Sequence, residues 1–118
     1  MITKTKGQIE DTIAKEITKF YAVELGLGPR NARAYITHDM VLIRLKGNMH
    51  PYEHILLKKS QGVATIKNMR TAILESVVDQ LTEIIEKNIS ATVISTHADS
   101  STRTGERFVL FILDRMID

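Results

Sequence analysis

HADSSTRTGERFVLFIL, residues 97–113, runs from a polar segment dense in hydrogen-bond donors straight into the most apolar stretch of the chain. Arg107 to Leu113 has the length and the β-forming composition of one strand, and Thr92 to His97 just upstream reads as another. Ala98 to Glu106 is then the loop of a hairpin. A rigid strand presenting an ordered polar loop is a common way for a small domain to carry a site.

Working back from this hairpin, Val63, Ile66, Met69, Ile73, Val77, Leu81, Ile84 and Ile85 step by three or four, which predicts a long helix from near Gly62 to Asn88. Lys67, Arg70, Glu75, Asp79, Glu83 and Glu86 fall mostly on its other side. At 1.5 Å per residue this is a rod of about 38 Å, so part of its apolar stripe is expected to be covered by a second subunit. Before it, a break at Gly47-Asn48 precedes HPYEHILLKKS, a short helix opening at Pro51. Ala32–Thr37 and Met40–Lys46 form a second hairpin, in which Val41, Ile43 and Leu45 alternate with Met40, Leu42, Arg44 and Lys46, the pattern of a strand with one face buried. His38-Asp39 is not a favoured two-residue turn, so a longer turn is allowed for. Residues 6–25 read as an amphipathic helix on Ile9, Ile13, Ile17, Phe20 and Leu25, with a capping box from Thr5 to Gln8 and a stop at Gly26, Gly28 and Pro29.

The order is therefore α-ββ-α-α-ββ. Strands in antiparallel pairs with helices between them predict an α+β fold, a two-layer sandwich of a four-stranded antiparallel sheet, packed against the N-terminal helix and the long central helix. With 118 residues the expectation is one domain spanning 1–118.

The absence of cysteine removes disulfides, thiolate catalysis and Cys-ligated metal from consideration. No run approaches the roughly 18 apolar residues of a membrane helix, so a cytoplasmic protein is expected, at most peripheral to the inner membrane. The formal charge of +2 conceals an asymmetry: residues 29–70 carry eight basic side chains against two acidic, and residues 71–118 four against eight. A weak nucleic-acid-binding module through the basic 29–70 segment is one alternative, disfavoured by a net charge far below that of dedicated nucleic-acid binders.

The strongest candidate site is the 97–107 loop, with His97, Asp99, Ser101, Thr102, Arg103, Thr104, Gly105, Glu106 and Arg107. Arginine forks bind carboxylate, bicarbonate or phosphate through two points, and hydroxyls with backbone N–H groups complete such a nest. A secondary loop holds Gly26, Gly28, Pro29, Arg30 and Arg33 and reads as a helix stop with an interface role, since it lacks a dinucleotide-binding pattern. His50-Pro51-Tyr52-Glu53-His54 has the H-x-x-E-H spacing of some zinc proteases. Pro51, however, keeps His50 out of the helix, so a helix start with solvated histidines is the better reading. The pairs His97/Asp99 and His38/Asp39 would hold a divalent metal only if both hairpin tips met at one edge of the sheet. A His–Asp hydrogen bond that orders the loop is preferred, and no metal or cofactor is expected.

Three blocks, GLGPRNARAYI (26–36), DMVLIRLKG (39–47) and HADSSTRTGERFVLFILDR (97–115), together resemble the MpsC-like family, small bacterial proteins named for an association with a sodium-translocating, membrane-potential-generating system. The residues that match its pattern are Gly26, Gly28, Pro29, Asp39, Gly47, His97, Asp99 and the run Ser101 to Arg107; the HPYEH segment departs from it. The resemblance implies an accessory protein linked to membrane energisation or inorganic-carbon uptake, with no established catalytic residues. The favoured reading is a non-enzymatic binding or accessory protein, a homodimer through the long helix, with an anion or ligand on the 97–107 loop and a protein partner at the membrane. The alternative from another class is a small enzyme using His97 as acid/base.

Overall fold

A computed structural model describes residues 4–26, 28–47 and 49–117. Leu27 and the Asn48 half of the Gly47-Asn48 break lie outside them.

Helix α1 (Lys6–Glu24) starts where expected: Thr5 accepts from the Gln8 backbone N–H, and the Gln8 side chain accepts from the Thr5 N–H at 2.8 Å. It buries Ile13, Ala14, Ile17 and Tyr21 and stops at Gly26, whose φ of +65° needs no Cβ. β1 (Asn31–Thr37) and β2 (Met40–Lys46) pair from Thr37↔Met40 to Asn31↔Lys46, so the turn is two residues after all. His38 supplies the left-handed conformation, φ +56°, that a tight turn demands and that only a minority of non-glycine residues adopt.

α2 (Pro51–Leu57) and α3 (Gly62–Asn88) meet at a corner of four residues, Lys58 to Gln61. A Cβ on Gly62 would collide with the Leu56 backbone carbonyl, which explains the glycine at the start of the longest helix. β3 (Val93–Ser100) runs three residues further than predicted, and β4 (Arg107–Leu113) ends as predicted. The extension follows from the partner: Ala98, Asp99 and Ser100 pair with Val109, Phe108 and Arg107.

The fold is α+β with an antiparallel sheet in the order β1-β2-β4-β3. Ala34, Ile36, Val41, Ile43, Leu45, Val109, Phe111 and Leu113 form the buried face, packed on Ile13 and Ile17 of α1 and Leu81, Ile84 and Ile85 of α3. Alternation leaves Tyr35, Leu42, Arg44, Phe108, Leu110 and Ile112 on the other face. α1 also protects an edge: the Ile36 N–H donates to Glu10 at 2.7 Å, and Lys6 donates to the Ile36 carbonyl at 3.2 Å.

The antiparallel register sends the two hairpin tips to opposite ends of the sheet. Asp39 lies beside Leu113, where its carbonyl accepts from the Leu113 N–H at 2.7 Å, whereas the 101–106 loop lies beyond Arg107 and Leu45. The condition for a His/Asp cluster at a common edge is therefore not met. Among the described residues no three His, Asp or Glu side chains converge to hold a metal.

Candidate functional site

Pro51 fixes the first position of α2, and Glu53 at the third turns its carboxylate back to accept the His50 N–H at 2.9 Å. This places Glu53 under the helix, 1% exposed. Arg70 reaches it from α3. The sequence reading set Arg70 with the polar side of that helix, but Arg70 stands one turn after Ile66 and one before Leu74 and occupies the buried side. Its Nε donates to Glu53 Oε2 at 2.9 Å and its Nη2 to Oε1 at 3.1 Å, with Met49 Sδ at 3.4 Å. Burial pushes the Glu53 carboxyl up. The Arg70 and His50 hydrogen bonds and the Arg70 charge outweigh burial and hold it below the usual carboxylate range.

Arg70 is only 8% exposed, yet its Nη1 has no hydrogen-bond partner among the described residues. A buried guanidinium with an unmatched N–H group is costly. Across from it stands Arg107, the first residue of β4, on the helix-covered face of the sheet. Burial first, and then the Arg70 charge, pull the Arg107 guanidinium below its ordinary value. Burial pushes the Tyr21 phenol up, against a smaller pull from Arg107. Arg70 alone bonds the Glu53 carboxylate, and the second guanidinium lines the same cleft.

These groups form the polar end of a cleft of about 580 Å³ between α3, β3 and β4, closed by Tyr21 and Leu25 of α1 and by His50 and Tyr52 at the start of α2. The His50 and Tyr52 rings stack at 5.1 Å. Lys67 also lines the cleft, but Asp99 at 3.3 Å matches its charge. Guanidinium groups stay protonated and act by holding charge in place.

Of the predicted loop residues, Asp99 and Arg107 line this cleft and His97 lies outside it. Hydrogen bonds close the rest into a turn. The Ser101 N–H donates to the Glu106 carbonyl at 2.9 Å, Ser101 Oγ accepts from the Arg103 and Thr104 N–H groups, and Thr104 Oγ1 accepts from the Glu106 N–H. Gly105 takes φ +81° to complete it. Glu106 forms a two-point pair with Arg44 on β2, at 2.9 Å and 3.2 Å from Nη2. Thr102 is half-buried and Arg103 exposed. The expected His97–Asp99 hydrogen bond is replaced: His97 bonds Ser95 at 3.2 Å, and Asp99 accepts from the Ser100 N–H at 2.7 Å.

In the secondary loop, Gly26 and Gly28 are exposed and Pro29 half-buried, with Arg30 and Arg33 exposed away from the cleft. The eight basic residues of the 29–70 segment do not make one surface. Arg33 and Arg44 pair across the helix-free face, whereas Arg70 and Lys67 lie in the cleft against carboxylates.

Sequence reasoning missed the Glu53–Arg70 pair. The available signals were a glutamate in the third position of a proline-initiated helix and an arginine at i+4 from Ile66 in an otherwise apolar stripe.

The family described as "Na+-translocating membrane potential-generating system (MpsC)" matches residues 5–115. The chain is 38% identical over 110 residues to the uncharacterized protein YbcI of Bacillus subtilis (strain 168), an alignment that covers 93% of this chain and 89% of that one. No solved structure matches it. The match spans α1 through β4, so the helices, the sheet and the cleft between them all lie within the shared region, and the chain belongs to the MpsC family.

Proposed function

We propose that the chain is a non-enzymatic accessory protein that binds an anion, held by Arg107 together with the free edge of Arg70 at the inner end of the 97–107 loop. The observation that carries this reading is the unpartnered, buried Nη1 of Arg70 in a cleft that it shares with a second guanidinium. An acceptor there would satisfy that N–H group and relieve the repulsion between the two arginines. The family description names a Na+-translocating membrane potential-generating system, and the setting we propose is the cytoplasmic side of such a system. Among the described residues no helix is long and apolar enough to cross a membrane.

The test is a thermal-shift screen against bicarbonate, phosphate and acetate at matched ionic strength, using wild type, Arg107→Met and Arg103→Ala. A ligand that binds only the folded state raises its melting temperature by mass action. The expected result is a rise with one anion, retained in Arg103→Ala and lost in Arg107→Met. Loss in Arg103→Ala alone would move the anion to the outer turn of the loop, and no rise with any anion would reject the proposal.

The homodimer is part of the same proposal. Ile55 and Val63, which flank the α2–α3 corner, are 59% and 48% exposed and offer the long helix an apolar end against a second copy. Sedimentation at micromolar concentration should give twice the monomer mass and, in Val63→Asp, the monomer mass.

A further inference from the structure

The cleft continues beyond its guanidinium groups. From Arg70 the same side of α3 carries Ile73, Leu74, Val77 and Val78, all half-buried, and β3 supplies Val93 and Ile94 opposite them. Leu74, Val77 and Val93 pack on the core; Ile73 and Val78 line the cleft beside it. Arg70 and Val78 are eight residues apart, about 12 Å along the helix axis. One cavity therefore has a charged end and an aliphatic wall. An inorganic anion would leave that wall wet, and a hydrocarbon would leave the guanidinium groups unmatched.

The charge of the polar end narrows the choice of head group. Glu53 already neutralises one of the two guanidinium groups, and Asp99 matches Lys67. At that end of the cleft one positive charge remains, which suits a monoanion; Glu75 and Asp79 line the cleft further along α3 and are exposed. Its two oxygens would accept hydrogen bonds from the planar fork of Arg107 and the unpartnered Nη1 of Arg70. A volume of about 580 Å³ is in the range of small-molecule sites and far exceeds the needs of a carboxylate alone.

Building on the anion site above, we infer that the ligand is an amphiphilic carboxylic acid, its carboxylate on Arg70 and Arg107 and its unbranched alkyl tail along Ile73, Val77 and Val78. Charge complementarity at one end and apolar contact at the other select this occupant over a free anion. The head group fixes the orientation and the tail supplies most of the affinity.

Calorimetric titration of the wild-type protein with acetate, butanoate, hexanoate, octanoate and decanoate tests this, at matched ionic strength and below the concentrations at which the longer acids aggregate. Octylammonium and octyl phosphate serve as head-group controls. Affinity should rise by up to about fourfold per methylene, the value for full burial, until the cleft is filled. Octylammonium should not bind, and octyl phosphate should bind more weakly than octanoate. Val78→Asp should reduce octanoate to the affinity of acetate, and Arg107→Met should abolish binding of both.

Equal affinity for acetate and octanoate would overturn the amphiphile and leave the anion site standing. No binding of any carboxylate would overturn both. Binding of octylammonium, or chain-length dependence that survives Arg107→Met, would mean adsorption to an apolar surface and would overturn the inference. Tighter binding of octyl phosphate would overturn the carboxylate head. If Val78→Asp fails to fold, the wild-type series and its controls still decide.

Discussion

At the scale of single residues, the molecule turns on one carboxylate between a helix start and two arginines. Glu53 caps α2 through the His50 N–H and neutralises Arg70, so its removal would leave a buried cation uncompensated. Glu53→Ala should cost about 3–5 kcal/mol of unfolding free energy, read from urea midpoints at constant slope. The pH dependence has a definite sign. The Glu53 carboxyl is held below its ordinary range in the folded protein, so the pair contributes fully above the unfolded glutamate value of about 4.3. That contribution is lost as the pH falls through the lower folded value. Urea midpoints below about pH 5 should therefore fall more steeply for the wild type than for Glu53→Gln. The sequence made Pro51 legible as a helix start, because proline at the first helical position is a local rule, but not the cap that Glu53 supplies. It hid Arg70, because an arginine between Ile66 and Leu74 looks like a polar interruption until the partner seventeen residues away is in place.

At the scale of elements, the helices and strands were largely legible and their joints were not. Periodicity located α1, α3 and both hairpins to within a few residues, since their buried faces repeat at 3.6 or 2. The β3 terminus was missed because Ala98-Asp99-Ser100 has loop composition and is extended only by pairing with β4. The α2–α3 corner depends on Gly62, and Gly62→Ala should cost at least about 3 kcal/mol, because the obstacle is the Leu56 backbone carbonyl and no side chain can swing aside. Thr5→Ala removes half of the α1 capping box and should cost about 1 kcal/mol, seen as faster amide exchange in the first turn of α1.

At the scale of the whole molecule, α1, α3 and one face of the sheet share a core, while the middle of α3 stands off from β3 and leaves the cleft. This separation places a charged and an apolar surface in one cavity, a feature that no local stretch of sequence encodes. The 97–107 segment stood out for its density of donors. Folding commits most of those donors to its own turn and to Arg44, and leaves Arg107 to face Arg70. On the proposed reading these two arginines are kept together for a ligand and against stability. The most direct test is the melting temperature of wild type and Arg107→Met, each with and without saturating carboxylate. On that reading ligand-free Arg107→Met melts above the wild type, since a buried repulsion is removed, and carboxylate raises only the wild type. An Arg107→Met protein that melts lower and still responds to carboxylate would contradict it.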